Sequence, residues 1–268
     1  MPNTTQSIAP MTLYETLALI MSAIALLIPI IQWGWRKWMM KPILKFHPTG
    51  RASLYCNTSG SYISIEGIFE ALRKPIIVKK MSVEIERKQD SRKLNLQWST
   101  FISPISQSIA GNYASSLETA HPFRVEADSI MCAFTEYADF YDAARKSIEP
   151  AITKYSQIWE KNREGVQDPQ QALLFIQGTQ EYEAARSALM KALYWEIGQY
   201  SLKIIVNHGD TVSNYVYTFS VSVTEHEKLE ANVNEIMNSF VLRSYGIQPK
   251  FQSVQVAITA ENKQKPHD

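Results

Sequence analysis

The twenty residues from Thr16 to Trp35 read TLALIMSAIALLIPIIQWGW and carry no charge. At about 1.5 Å per residue, a helix of this length crosses a hydrocarbon core of about 30 Å. Nine of the twenty are Leu or Ile, which together favour insertion by roughly 3 to 5 kcal/mol against the smaller costs of Ser22 and Pro29. A buried helix of a soluble protein usually keeps a polar stripe, and no ionisable group falls in this window. The sequence predicts a transmembrane helix with its flanks over 11–38, anchored by Leu17, Ile20, Ile24, Leu27 and Ile31. Trp33, Trp35 and Trp38 belong to the headgroup zone, where amphipathic rings prefer to lie.

The preceding stretch, MPNTTQSIAP, has no Lys or Arg, and bulky residues stand where a cleavage site would need small ones, so the reading is a retained anchor. Arg36, Lys37, Lys41 and Lys45 follow the span and place that side in the cytoplasm. The expected layout is a non-cytoplasmic tail over 1–10, a cytoplasmic body over 39–260 and a polar, mobile tail over 261–268. Ala18, Ser22 and Ala25 recur at steps of four and three, a small-residue face through which a second copy could associate.

Composition sets outer bounds. With 268 residues, 27 basic against 26 acidic side chains, ten glycines and two cysteines, the chain is neither a disordered polymer nor a disulfide-built miniprotein. Its bulk charge does not direct it to nucleic acid. Charge is uneven all the same: 36–93 carries thirteen basic and five acidic residues, net +8, whereas 128–198 carries seven and eleven, net −4.

The body starts in strand-like text. In Met81-Ser82-Val83-Glu84-Ile85-Glu86 apolar and polar residues alternate, the mark of a strand with one wet face. A turn at Gln89-Asp90-Ser91 leads into Leu94-Asn95-Leu96-Gln97-Trp98, and Asn57-Thr58-Ser59-Gly60 is another turn. Strand signals return at 200–206 and 215–223, with Tyr215, Tyr217, Phe219, Val221 and Val223 on one side. The fold class is α+β: a mostly antiparallel β-sandwich, immunoglobulin-like or similar, or an open barrel, behind the membrane helix.

Between the strand-rich parts, 128–198 reads as an inserted antiparallel helical hairpin. Ile130, Phe134, Tyr137, Tyr141, Ala144, Ile148, Ala151, Tyr155 and Ile158 follow helical spacing, and Asp168-Pro169 opens a second helix carrying Ala172, Ile176, Tyr182, Ala185 and Leu189. Trp159 and Trp195 are the candidate docking surface of this hairpin, weighed against a core role. A further helix covers 227–242, followed by a short strand near 251–258.

Nothing in the sequence assembles a reaction. No phosphate-binding glycine loop or nucleophile elbow occurs, and His226 is followed four residues later by Glu230 rather than by the second histidine a zincin needs. The pairs Asp139 with Asp142 and Glu181 with Glu183 are assigned to solvent-facing helix surfaces. No catalytic residue, cofactor or metal site is expected. The leading expectation is a non-enzymatic, membrane-anchored interaction module whose hairpin binds a protein partner. The alternatives are an oligomerising membrane effector or sensor that perturbs the bilayer, and a membrane-associated hydrolase built from scattered residues.

Overall fold

The first helix, α1 (Leu13–Gly34), starts at a reciprocal cap: the Thr12 side chain accepts from the Glu15 N–H, and the Glu15 carboxylate accepts from the Thr12 N–H at 2.8 Å. This computed structural model describes residues 12–35, 41–109, 112–139 and 143–261. None of the α1 residues is buried, and Leu17, Ile20, Ile24, Leu27, Ile31 and Trp33 are all exposed. The helix is long and apolar enough to cross a membrane. Arg36, Lys37 and Trp38 lie outside the described residues.

The body is built on β1 (Ile43–Asn57), β2 (Gly60–Leu72), β3 (Ile76–Arg87), β4 (Lys93–Ile109), β5 (Asn112–Thr119), β6 (Phe123–Val125) and β7 (Ser129–Ala138). Later come β8 (Gly198–His208), β9 (Thr211–Val221), β10 (Gln255–Ala257) and β11 (Thr259–Ala260). They form one antiparallel sheet in the order β10-β1-β2-β7-β4-β3-β8-β9-β11, with β5 on β4 and β6 on β3. The last two strands belong to one C-terminal segment: β10 pairs with β1, where Ala52 faces Val256, and β11 pairs with β9, where Thr218 faces Thr259. That segment laces the two sheet edges together. Tyr215 and Tyr217 of β9 donate across the seam to the Leu44 and Phe46 carbonyls of β1, at 2.7 and 3.2 Å. The strands thus make a nearly closed, barrel-like sheet in place of two separate sandwich layers; lacing hides the edges that an open sheet leaves exposed.

Inside lie Leu54, Ile63, Ile65, Met81, Val83, Ile85, Leu202 and Ile204, all fully buried, as the alternation in β3 predicts. A second core sits among α2 (Ala143–Asn162), α3 (Pro169–Gln177), α4 (Gln180–Ala192) and α5 (Val223–Leu242), where Ile148, Tyr155, Ile176, Ala185, Leu189 and Met237 meet. Asp168 caps α3, and Ser222 with Glu225 caps α5. The Tyr155 hydroxyl donates to the Met237 carbonyl at 2.9 Å and ties α2 to α5.

The expected helix over 128–138 is corrected. This stretch is β7, a central strand hydrogen-bonded on both sides, to β2 and to β4. Its inward positions include Ala133 and Thr135, small or polar residues that blur a period of two, while Ile130 points outward. The Thr135 hydroxyl is satisfied in the interior by the Ile65 carbonyl at 3.1 Å. Helix begins at 143, and three helices stand where two were expected. Val223 is likewise the first residue of α5 and not the end of β9.

The registers define two ends of the sheet. Ile43 faces Leu72, Ala71 faces Ser129 and Val78 faces His208 at the end where the chain leaves α1. Asn57 faces Gly60, Glu86 faces Lys93 and Gly198 faces Val221 at the other. All four body helices attach to this far end. Gly60, at φ 121°, turns the chain there so close to α2 that a side chain would stand 2.8 Å from Ala144 Cβ.

Candidate functional site

At the far end a cleft of about 670 Å³ opens between the β1–β2 turn, α5 and the segment 251–253. Tyr55 of β1 and Tyr62 of β2 stand opposite each other and stack, with centroids 5.7 Å apart and an interplanar angle of 23°. Tyr55 is 36% exposed and presents its ring to the opening. The turn beside it is pinned by Asn57, whose Oδ1 accepts from the Ser59 N–H at 2.7 Å. The opposite wall is fixed by buried Asn232 of α5: its Nδ2 donates to the Gln252 carbonyl at 2.9 Å and its Oδ1 accepts from the Gln252 N–H at 2.7 Å. That pair of bonds holds Phe251 and Ser253 along the rim.

Arg243, where α5 ends, is the one charged residue in the lining, which among the described residues contains no Asp, Glu, Lys or His. Its guanidinium is exposed, with no ion pair among the described residues. Cys56 also lines the cleft, but burial pushes its thiol up to about 12, so at neutral pH it is not the thiolate that nucleophilic chemistry requires. Burial first, and the charge of Glu136 second, hold the Tyr62 phenol above its ordinary range. Glu136 itself faces Ser64, two residues along the same side of β2, and partial burial raises its carboxyl. A platform of rings, fixed amides and one guanidinium suits a small ligand that has a flat ring and a negative charge.

Trp159 and Trp195 do not form a docking surface; they are 2% and 0% exposed. Trp159 belongs to the helical core beside Tyr245. Trp195 packs against Tyr194, Tyr200 and Phe219, and its Nε1 donates to the Tyr55 carbonyl at 2.9 Å. It therefore positions the cleft from beneath. Lys41 and Lys45 are exposed at the near end, and Ala18, Ser22 and Ala25 lie along exposed α1. Glu181 and Glu183 occupy the first turn of α4, outside the cleft lining, where they suit the helix dipole. Asp142 lies outside the described residues. His226 meets Glu230 at 3.4 Å and bonds through Nδ1 to the Trp195 carbonyl at 2.9 Å, fastening α5 to the barrel. Of the two cysteines, Cys132 is exposed.

The sequence concealed this cleft because its walls come from three segments separated by most of the body, and no spacing rule links Tyr55 to Arg243. Only the Asn57-Thr58-Ser59-Gly60 turn was legible.

No family model matches the chain, and no curated protein does. A solved structure that is similar is a family 123 glycoside hydrolase from Clostridium perfringens, described in terms of glycolipid glycan hydrolysis. Identity is 9%, the TM-score is 0.30, and the likeness covers 68% of this chain and 27% of that one. That protein is described as a hydrolase, at odds with the expected non-enzymatic interaction module, which is not carried further. A likeness of this extent transfers no activity.

Proposed function

We propose that the chain is a membrane-tethered ligand sensor: α1 spans the bilayer, the barrel stands on it, and the far-end cleft binds a small anionic molecule carrying a flat ring. The observation that carries this reading is the lining itself, where an exposed, stacked tyrosine shares a cleft with a guanidinium that, among the described residues, meets no carboxylate. The volume falls within the range of about 300 to 1,000 Å³ usual for small-molecule sites. In this reading the basic residues after α1 keep the body in the cytoplasm, and the small-residue face of Ala18, Ser22 and Ala25 offers a contact to a second copy.

Calorimetric titration with a nucleoside monophosphate, the parent nucleoside and inorganic phosphate tests the cleft. Saturable binding of the monophosphate is expected. Arg243→Ala should weaken it roughly ten- to a hundredfold, the loss of one charge-assisted contact of about 1.5 to 3 kcal/mol. Tyr55→Ala should weaken the nucleoside as well. Equal affinities in wild type and both variants would remove the cleft from consideration.

A second reading, a membrane-associated hydrolase, draws on Glu136, because a carboxyl held above its ordinary range beside Tyr62 is suited to donate a proton. The same shift makes a stability prediction. A carboxyl whose folded pKa is raised binds its proton more tightly in the native state, so its contribution is complete below 4.5 and declines as pH rises through the raised value. Glu136→Gln should therefore gain on wild type in Tm as pH rises above 4.5 and level off once the raised value is passed. Parallel Tm profiles would show that Glu136 is ordinary.

A further inference from the structure

The end of the barrel next to α1 has a surface of its own. Eight positions, 35–42, separate α1 from β1, and even fully extended they reach no more than about 28 Å. Whatever holds α1 therefore holds this end close by. Three large apolar side chains stand exposed there: Ile77 at the start of β3 (50%), Ile130 at the start of β7 (67%) and Val212 at the start of β9 (57%). Over 41–47, 70–80, 121–130 and 207–212 there are seven basic residues and four acidic ones. Of the acids, Glu70 is engaged by Lys45 and His47, and Glu126 by Arg124. Asp128 accepts from the Arg73 N–H, and Asp210 lies in the exposed β8–β9 turn.

A concave feature lies beside these tips. β3 pairs with β6 through Val78 and with β4 from Ser82 onward, and the change of partner leaves a notch of about 370 Å³. Lys79 and Lys80 stand at its mouth, with Gln97 and His121 along its wall. The register on β8 slips at this place, and both lysines are exposed. The Gln97 amide oxygen is buried with no hydrogen-bond partner among the described residues. Lys79 is three residues, or about 10 Å, from the start of β3, about one Debye length from the end of the barrel.

From this arrangement we infer that the near end lies on an anionic leaflet, with Ile77, Ile130 and Val212 dipped into the headgroup layer and a phosphatidylserine headgroup seated in the notch. The lipid phosphate and carboxylate meet Lys79 and Lys80, and its ammonium satisfies the Gln97 oxygen. The inference rests on α1 being a bilayer span. It goes beyond the sensor reading by fixing how the body stands: the cleft, at the opposite end, faces away from the membrane and is open to a soluble ligand.

The test uses the full chain in nanodiscs of phosphatidylcholine, with and without phosphatidylserine, carrying a nitroxide at Ile130→Cys in a Cys132→Ser background. In serine-lipid discs the nitroxide should be relaxed by oxygen more than by a water-soluble nickel complex, and in pure phosphatidylcholine the order should reverse. Lys79→Glu with Lys80→Glu should abolish the response to serine lipid, since each removed cation near the surface weakens docking about fivefold. A nitroxide in water with both lipids, or a response untouched by the two reversals, overturns the docking. A chain that elutes apart from the discs overturns the anchor itself, and co-elution distinguishes the two failures.

Discussion

Trp195→Ala is expected to destabilise the body by about 3 to 5 kcal/mol, the usual cost of emptying a large buried aromatic site. For a domain of this size that lowers Tm by about 8 to 15 °C. The ring is fully buried between Tyr194, Tyr200 and Phe219, and its N–H satisfies the Tyr55 carbonyl. A docking residue would behave in the opposite way, leaving stability unchanged and affecting only binding. Trp195→Phe refines the test, since it keeps most of the packing but orphans the Tyr55 carbonyl. It should weaken ligand capture in the cleft by more than its modest cost in Tm explains. Thermal melts and the titrations described above read both quantities. A Trp195→Ala protein as stable as wild type would contradict the buried placement.

The second large effect concerns α1. Replacing Ile24 and Leu27 by arginine places two charges near the middle of the span, each opposing insertion by about 2.5 to 3.5 kcal/mol. The Leu and Ile residues of the whole segment supply only roughly 3 to 5 kcal/mol in its favour. The double variant should leave the membrane fraction, and its body should melt at the wild-type temperature, because no α1 side chain is buried against the barrel or the helices. A double variant found in membranes to the wild-type extent would show that other parts of the chain do the anchoring. A lowered melting temperature would show that α1 packs on the body.

How much of this could be read from the sequence depended on whether the deciding residues were neighbours in the chain. The long apolar helix, the alternation in β3 and the cap at Asp168 are local, and each was legible; the cap at Ser222 was not, because the sequence around it reads as the end of a strand. β7 was misread because Ile130, Phe134 and Tyr137 mimic helical spacing, while two of its three buried positions, Ala133 and Thr135, carry little hydrophobic signal. Barrel closure was hidden for a different reason. It depends on five paired residues of β10 and β11, among which Val256 is buried, with Val254 and Ile258 alongside, too short a run for any periodicity to declare. The cleft was the least legible feature, since a tyrosine near position 55 and an arginine near 243 become neighbours only after the C-terminal segment has laced the sheet shut. The pairing of Asn232 with Gln252 makes that closure local again, but only once α5 is in place.

The two-ended description, with lipid at one end of the barrel and the cleft at the other, stands on α1 being embedded in a bilayer. Washing membranes that contain the full-length chain with alkaline carbonate tests this most directly, because it strips proteins held by charge and leaves those held by hydrocarbon. The account predicts that the chain sediments with the lipid. Recovery of the intact chain in the wash would contradict it.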